Sequence, residues 1–192
     1  MALFGRHTGE INEAAFERAR AQSRAHFPTL PVGAGSNSNF AELNRHEPPH
    51  SADFLVYAAN PQVHAFDDES ILETPAALGQ TLLSARVLAG QRPIKVSPLS
   101  FQPRFNAVAT SHDGAPADID KRAPEPLGAA WALASVAALQ MAGLGALAGD
   151  SLTLGETNGP RGVLDENGLP TPMWFSLRDL AQAQSETAWA ID

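Results

Sequence analysis

Residue types suited to proton transfer follow two apolar runs of the sequence. Glu156 comes directly after the run 151–155, and His64 follows the run 54–59 with Asp67 three residues later. A carboxylate and an imidazole can both act as general bases, and a nearby carboxylate can orient an imidazole. The spacing therefore predicts Glu156 and His64 as catalytic residues, and it leaves open which of them is the base.

Polar side chains near the same runs suit the recognition of hydroxyl groups and of an oxyanion. Asn60 stands at the end of the run 54–59, where Pro61 holds it extended. An arginine side chain offers several donors in one plane, which suits an oxyanion. The candidate substrate-binding residues are Glu42, Asn44, Asn60, Asp67, Arg104, Asn106 and Arg161.

The two arginines have a structural alternative. Arg161 is close enough in sequence to pair with Glu156, and Arg104 could form a surface ion pair with Asp118 or Asp120. Both alternatives stay open at the level of the sequence.

Two other chemistries would use the same acidic residues. Glu42 and Glu156 could face each other as the paired carboxylates of a glycoside hydrolase. His64, Asp67, Asp68 and Glu156 could surround a divalent ion, but they match no fixed ligand spacing such as HxH or HExxH. The sequence also lacks a GxSxG elbow and a dinucleotide fingerprint. We therefore predict neither a metal nor a cofactor.

The elements that position these residues repeat in the order strand, loop, helix. Strands are predicted at about 30–35, 54–59, 93–97 and 151–155, and helices at 10–27, 71–88, 127–144 and after Pro170. This is an α/β pattern of parallel βα repeats, in which the loops after the strands carry the chemistry. Four repeats make half of a (β/α)₈ TIM barrel, or a complete doubly wound sheet, and periodicity alone does not separate the two.

Composition limits the domain count and the partners. The chain has 192 residues with 44% hydrophobic content, which is enough for one hydrophobic core. It has no cysteine, which excludes disulfides, thiolate zinc sites and a cysteine nucleophile. We place a partial barrel at residues 1–180 and a tail or linker to a further domain at 181–192. The net charge of −8 is spread along the chain, which argues against a nucleic-acid or anionic membrane partner.

Two segments are considered as a membrane span and as a signal peptide. Residues 127–149 carry no charge, but they are rich in Ala and Gly and contain Gln140, which favours a helix buried against a sheet over a membrane span. The first residues lack the apolar core of a signal peptide, so we expect a cytoplasmic protein.

Four segments carry a resemblance to a known family. Residues 54–68 (FLVYAANPQVHAFDD), 92–106 (RPIKVSPLSFQPRFN), 128–131 (GAAW) and 155–163 (GETNGPRGV) resemble the TIM barrel domain of the D-apionate lactonase family. Taken in order, the resemblance covers roughly residues 30 to 180. It implies a glycosidase-like (β/α)₈ barrel that hydrolyses a branched-sugar lactone, with a small-molecule lactone as its partner.

The chain resembles the carboxyl-terminal half of that barrel. The family motif has an aromatic pair before the glutamate and a tryptophan before Arg-Gly, whereas Leu154, Gly155 and Pro160 stand here. These departures remove surfaces on which a sugar stacks. A half barrel has open strand edges, so we expect a homodimer or pairing with the missing half. The remaining alternative is a truncated, non-catalytic barrel fragment.

Overall fold

A computed structural model describes residues 1–4, 12–103 and 119–182. Its main element is a five-stranded parallel sheet in the order β1-β2-β3-β4-β5. The strands are β1 (Ala2–Leu3), β2 (Gly33–Ser36), β3 (Leu55–Ala59), β4 (Ile94–Leu99) and β5 (Ser151–Leu154). The strand order follows the chain without reversing, as in a barrel wall, whereas a doubly wound sheet reverses at a switch point. The sheet therefore has the topology of a TIM-barrel segment.

Five helices and a small second sheet accompany these strands in the described part of the chain. The helices are α1 (Glu13–His26), α2 (Phe40–Arg45), α3 (Asp68–Ala89), α4 (Pro126–Met141) and α5 (Pro172–Gln182). The second sheet pairs β6 (Glu156–Asn158) with β7 (Gly162–Leu164) in parallel. Asn12 caps α1 by accepting a hydrogen bond from the Ala15 N–H at 2.9 Å.

The main core lies between the sheet and the helices α3 and α4. Leu55 and Tyr57 of β3 and Val96 of β4 are fully buried there, together with Trp131 and Leu139 of α4. All five residues of β3 are buried, which is why the strand reads as a continuous apolar run. Among the described residues, no helix combines the length and the apolarity needed to cross a membrane.

A buried carboxylate connects the start of β5 to α3 and to the start of β4. The Asp150 side chain is 0% exposed and forms an ion pair with Arg86 of α3 at 2.7 Å. It also accepts a hydrogen bond from the Ile94 N–H, at the start of β4, at 2.8 Å. Asp53, before β3, repeats this arrangement with the Val32 N–H at 2.7 Å and two arginines of α1. These contacts lie at the amino-terminal end of the sheet. In a TIM barrel, residues at this end stabilise the fold, whereas the active site lies at the opposite end.

The end of β4 differs from the prediction. The strand was expected to stop at residue 97, yet it continues through Pro98 to Leu99. Proline has no N–H to donate to a ladder, and the register with both neighbouring strands shifts around this position. Because β4 ends at Leu99, Ser100, Phe101 and Gln102 are the first residues beyond the carboxyl end of the strand.

Candidate active site

A cleft lies beyond the carboxyl ends of β4 and β5, which we call the Glu156 cleft. Its polar lining consists of Ser100, Gln102, Glu156 and Arg161, and its apolar walls include Phe101, Trp131, Val163 and Met173. It encloses about 30 Å³. A space of this size holds one or two water molecules, whereas a sugar ring would have to lie at its open side.

Glu156 is held by the turn that follows β5. The Gly155 N–H donates to the Leu99 carbonyl at 3.2 Å, and Gly155 has a φ of 53°, which favours glycine. Glu156 then begins β6, where it is half-buried and lies opposite Gly162 of β7. Its N–H donates to the Arg161 carbonyl at 3.4 Å. The backbone thus fixes Glu156, at the start of β6, beside Arg161, which directly precedes β7.

Arg161 brings a hydrogen-bond donor to the cleft. Its Nε is buried and has no hydrogen-bond partner among the residues that the structure describes. A buried donor without an acceptor costs free energy, on the order of 1–3 kcal/mol, so a rotation of the side chain that brings this N–H to an oxygen of a bound molecule would be favourable. Arg161 is therefore suited to bind an oxyanion or a carbonyl oxygen beside Glu156.

The loop after β4 supplies residues that sequence reasoning missed. The Ser100 N–H donates to the Ala59 carbonyl at 3.0 Å, and Phe101 packs edge-on against Trp131 with ring centroids 5.8 Å apart. Gln102 accepts a hydrogen bond from the Asp120 N–H at 3.0 Å. The sequence pointed instead to Arg104 and Asn106, which lie outside the described residues. Had Pro98 been placed inside the strand, the first polar residues after it would have been found.

A network of side-chain hydrogen bonds and ion pairs holds this loop in place. Gln62 donates to the Phe101 carbonyl and to the Asp120 carboxylate, both at 2.9 Å. Arg122 pairs with Asp120 at 2.7 Å and also with Asp68. The hydrogen bond from Arg122 lowers the pKa of Asp120 to about 2. Asp120, considered above as a partner of Arg104, is thus ionised and bonded within this network.

His64 lies in a different pocket from Glu156. It is exposed and, among the described residues, forms no hydrogen bond or ion pair. Asp67, which was expected to orient it, instead caps α3 and accepts hydrogen bonds from the Ser70 N–H at 2.9 Å and the Ser70 hydroxyl at 2.8 Å. Asn60 lines the pocket of His64 as well. The structure therefore separates His64 and Asn60 from the Glu156 cleft.

Glu42 and Asn44 lie on α2, after β2. Glu42 is 8% exposed and forms an ion pair with Arg45, and Asn44 is exposed. Strands β2 and β5 are three positions apart, which is about 14 Å along a sheet with the usual spacing of ~4.8 Å. Glu42 lies on α2 with its carboxylate bound to Arg45, and it is absent from the lining of the Glu156 cleft, so Glu42 and Glu156 do not form a close pair.

The residues considered for a metal ion are dispersed. Asp67 caps α3, Asp68 pairs with Arg122, and His64 and Glu156 line separate pockets. Within the described residues, no group of three or more His, Asp or Glu side chains could hold a metal ion.

Comparison with known proteins gives the family. The family model described as "D-apionate lactonase, TIM barrel domain" matches residues 9–185. A curated D-apionate lactonase from Brucella anthropi is 31% identical over 189 residues, which cover 91% of this chain and 30% of that protein. The chain thus spans about a third of the length of this relative.

Solved structures show the same fold. The β-D-glucuronidase of Dictyoglomus thermophilum has a TM-score of 0.60 at 16% identity, covering 92% of this chain and 30% of that protein. A β-glucuronidase from an uncultured Clostridium sp. has a TM-score of 0.64 at 13% identity, covering 94% and 31% respectively. With its family match and its parallel sheet, the chain belongs to the D-apionate lactonase TIM barrel domain family.

Proposed function

We propose that the Glu156 cleft hydrolyses the ester bond of a sugar lactone. The observation that carries the proposal is that a half-buried carboxylate and a buried arginine donor, which has no partner among the described residues, line the same cleft at the carboxyl edge of a TIM-barrel sheet. The name of the curated relative, D-apionate lactonase, supports the choice of a lactone.

Glu156 and Arg161 have separate roles in the proposed reaction. The Glu156 carboxylate takes a proton from a water molecule, and the water oxygen attacks the lactone carbonyl carbon. The Arg161 Nε–H donates to the oxyanion that forms, a contact typically worth about 10²–10³ in rate. Collapse of the tetrahedral intermediate breaks the bond to the ring oxygen, which receives the proton from Glu156. The product is a hydroxy acid, whose ionisation releases one proton at neutral pH.

The lining of the cleft favours this chemistry over the glycoside hydrolase alternative. Most glycosidases need a second carboxyl group, at about 5 Å for retention and roughly 6.5–9.5 Å for inversion. Glu156 is the only carboxylate among the described residues that line the cleft. Glu42, the other candidate, lies three strands away in its ion pair with Arg45. A single carboxylate is sufficient for general-base hydrolysis of a lactone.

The proposal is tested by proton release from the purified chain at neutral pH. We expect release above the spontaneous rate with at least one member of a panel of five-carbon sugar lactones that includes apionolactone. The same preparation is given p-nitrophenyl glycosides, including the β-D-glucuronide. Release of p-nitrophenol without lactone hydrolysis would favour the glycosidase, and turnover of neither class would favour the non-catalytic fragment.

A further inference from the structure

A second pocket lies on the outward face of β3, between α2 and α3, and we call it the Tyr57 pocket. Tyr57, itself fully buried, lies at its wall, and the Tyr57 ring meets the Phe40 ring edge-on, with centroids 5.8 Å apart. The Tyr57 hydroxyl lies 3.4 Å from the Thr81 hydroxyl of α3. Because α2 has only six residues, it covers little of this face, and a space of about 380 Å³ remains. That volume is within the usual range of small-molecule sites.

The walls of this pocket are mostly apolar and carry no permanent charge. They include Phe40, Ala59, Pro61, Val63, Ala77 and Leu78. His64 and Tyr57 are the ionisable groups among the described lining residues. Burial raises the pKa of Tyr57 to about 12, so its phenol stays neutral over the working range of pH. A charged ligand would lose its hydration here without gaining a counter-charge.

The polar groups of the pocket point to an oxygen acceptor on the ligand. Asn60 is 7% exposed, and its Oδ1 accepts a hydrogen bond from the Gln62 N–H at 3.0 Å. This contact fixes the amide, whose NH₂ group has no acceptor among the described residues. His64 adds a second donor at the rim, also without a partner in the described part of the chain. Two donors beside an apolar wall suit a carbonyl or ether oxygen on an apolar body.

We propose that the Tyr57 pocket binds a small neutral molecule with an apolar, ring-sized body and one oxygen acceptor, which receives a hydrogen bond from Asn60. This site is distinct from the Glu156 cleft, since the two share no lining residue among those described. A sugar lactone is a poor fit, because the hydroxyl groups of Ser70, Thr74 and Thr81 in the lining already donate their hydrogens within the protein and cannot donate to sugar hydroxyls. The proposal is independent of the lactonase activity.

The single tyrosine of the chain provides a direct readout. With ring-¹³C-labelled tyrosine, the NMR spectrum contains one set of ring signals, which report on this pocket. The probe is acetophenone, a neutral aromatic ketone whose ring current shifts nearby nuclei. We expect a saturable shift of the Tyr57 signals with acetophenone, and none with benzoate or erythronolactone at the same concentrations.

Matched variants identify the site of binding. Ala77 lines the pocket, whereas its neighbour Ala76 on α3 is exposed and is absent from the lining. Ala77→Trp should fill the space and abolish the shift, and Ala76→Trp should leave it intact. Asn60→Asp keeps an acceptor for the Gln62 N–H but removes the amide donor, and it should weaken acetophenone binding by about tenfold.

Three results would overturn the proposal. The first is the absence of a saturable shift in the parent chain. The second is an unchanged shift in both Ala77→Trp and Asn60→Asp. The third is an equal, saturable response to erythronolactone, which would make this pocket a sugar site instead. If Ala77→Trp does not fold, the decision rests on Asn60→Asp.

Discussion

The Glu156→Gln variant is expected to hydrolyse its lactone substrate about 10²–10⁴-fold more slowly than the parent chain, which is the usual contribution of a positioned general base. The amide has nearly the shape of the carboxylate but cannot take a proton from water. The position of residue 156, set by Gly155 and the pairing of β6 with β7, should not change. Initial rates of proton release at saturating lactone measure the effect.

Two matched substitutions serve as controls. Glu166→Gln makes the same change at an exposed position after β7, and His64→Gln removes the other candidate base. Both should retain rates within about threefold of the parent chain. A loss in His64→Gln that matches or exceeds the loss in Glu156→Gln would contradict the assignment of the base.

The Asp150→Ala variant is expected to lose about 3–5 kcal/mol of unfolding free energy, the range typical of breaking a buried ion pair. The substitution leaves Arg86 without its carboxylate and removes the acceptor of the Ile94 N–H. It also removes the acceptor of the Gly145 and Leu147 N–H groups. Urea unfolding, followed by tryptophan fluorescence, to which the buried Trp131 contributes, measures the difference.

The destabilisation should depend on pH in a defined direction. Burial alone would raise the pKa of Asp150, but the bonds from Arg86 and from backbone N–H groups outweigh it and hold the pKa below 3.8. The stabilisation is therefore present above about pH 4 and is lost as the pH falls through the lowered value. The difference in unfolding free energy between Asp150→Ala and the parent chain should therefore become smaller in acid.

Asp179→Ala is the control for this experiment. Asp179 is exposed and pairs with its neighbour Arg178, so its removal should change the free energy by no more than about 0.5 kcal/mol. A loss in Asp150→Ala as small as that in Asp179→Ala would contradict the role assigned to the buried carboxylate.

The strands and helices were predictable where burial imposes a pattern. The run at β3 is apolar because all its residues are buried, and Gly90 follows α3 directly as its C-cap. By contrast, β1 was missed, since two residues show no periodicity. The choice between a barrel and a doubly wound sheet needed the strand order, which depends on contacts distant in sequence.

The candidate site was predictable only close to the strand ends. Glu156 lies two residues beyond Leu154, and the pairing of β6 with β7 fixes it at the edge. His64 lies five residues beyond Ala59, and its loop turns through Asn60 and Gln62 into a separate pocket. Periodicity specifies which residues reach the edge of a sheet, but the hydrogen bonds of each loop decide where their side chains lie.

A crystal structure of the Glu156→Gln variant with a five-carbon sugar lactone that the parent chain hydrolyses would test the roles of Glu156 and Arg161. The lactone is expected at the Glu156 cleft, with its carbonyl oxygen about 3 Å from the Arg161 Nε, a hydrogen-bonding distance. The side chain at position 156 should face the carbonyl carbon. An ordered lactone against His64 in the Tyr57 pocket, with no contact to Arg161, would contradict the roles assigned to Glu156 and Arg161.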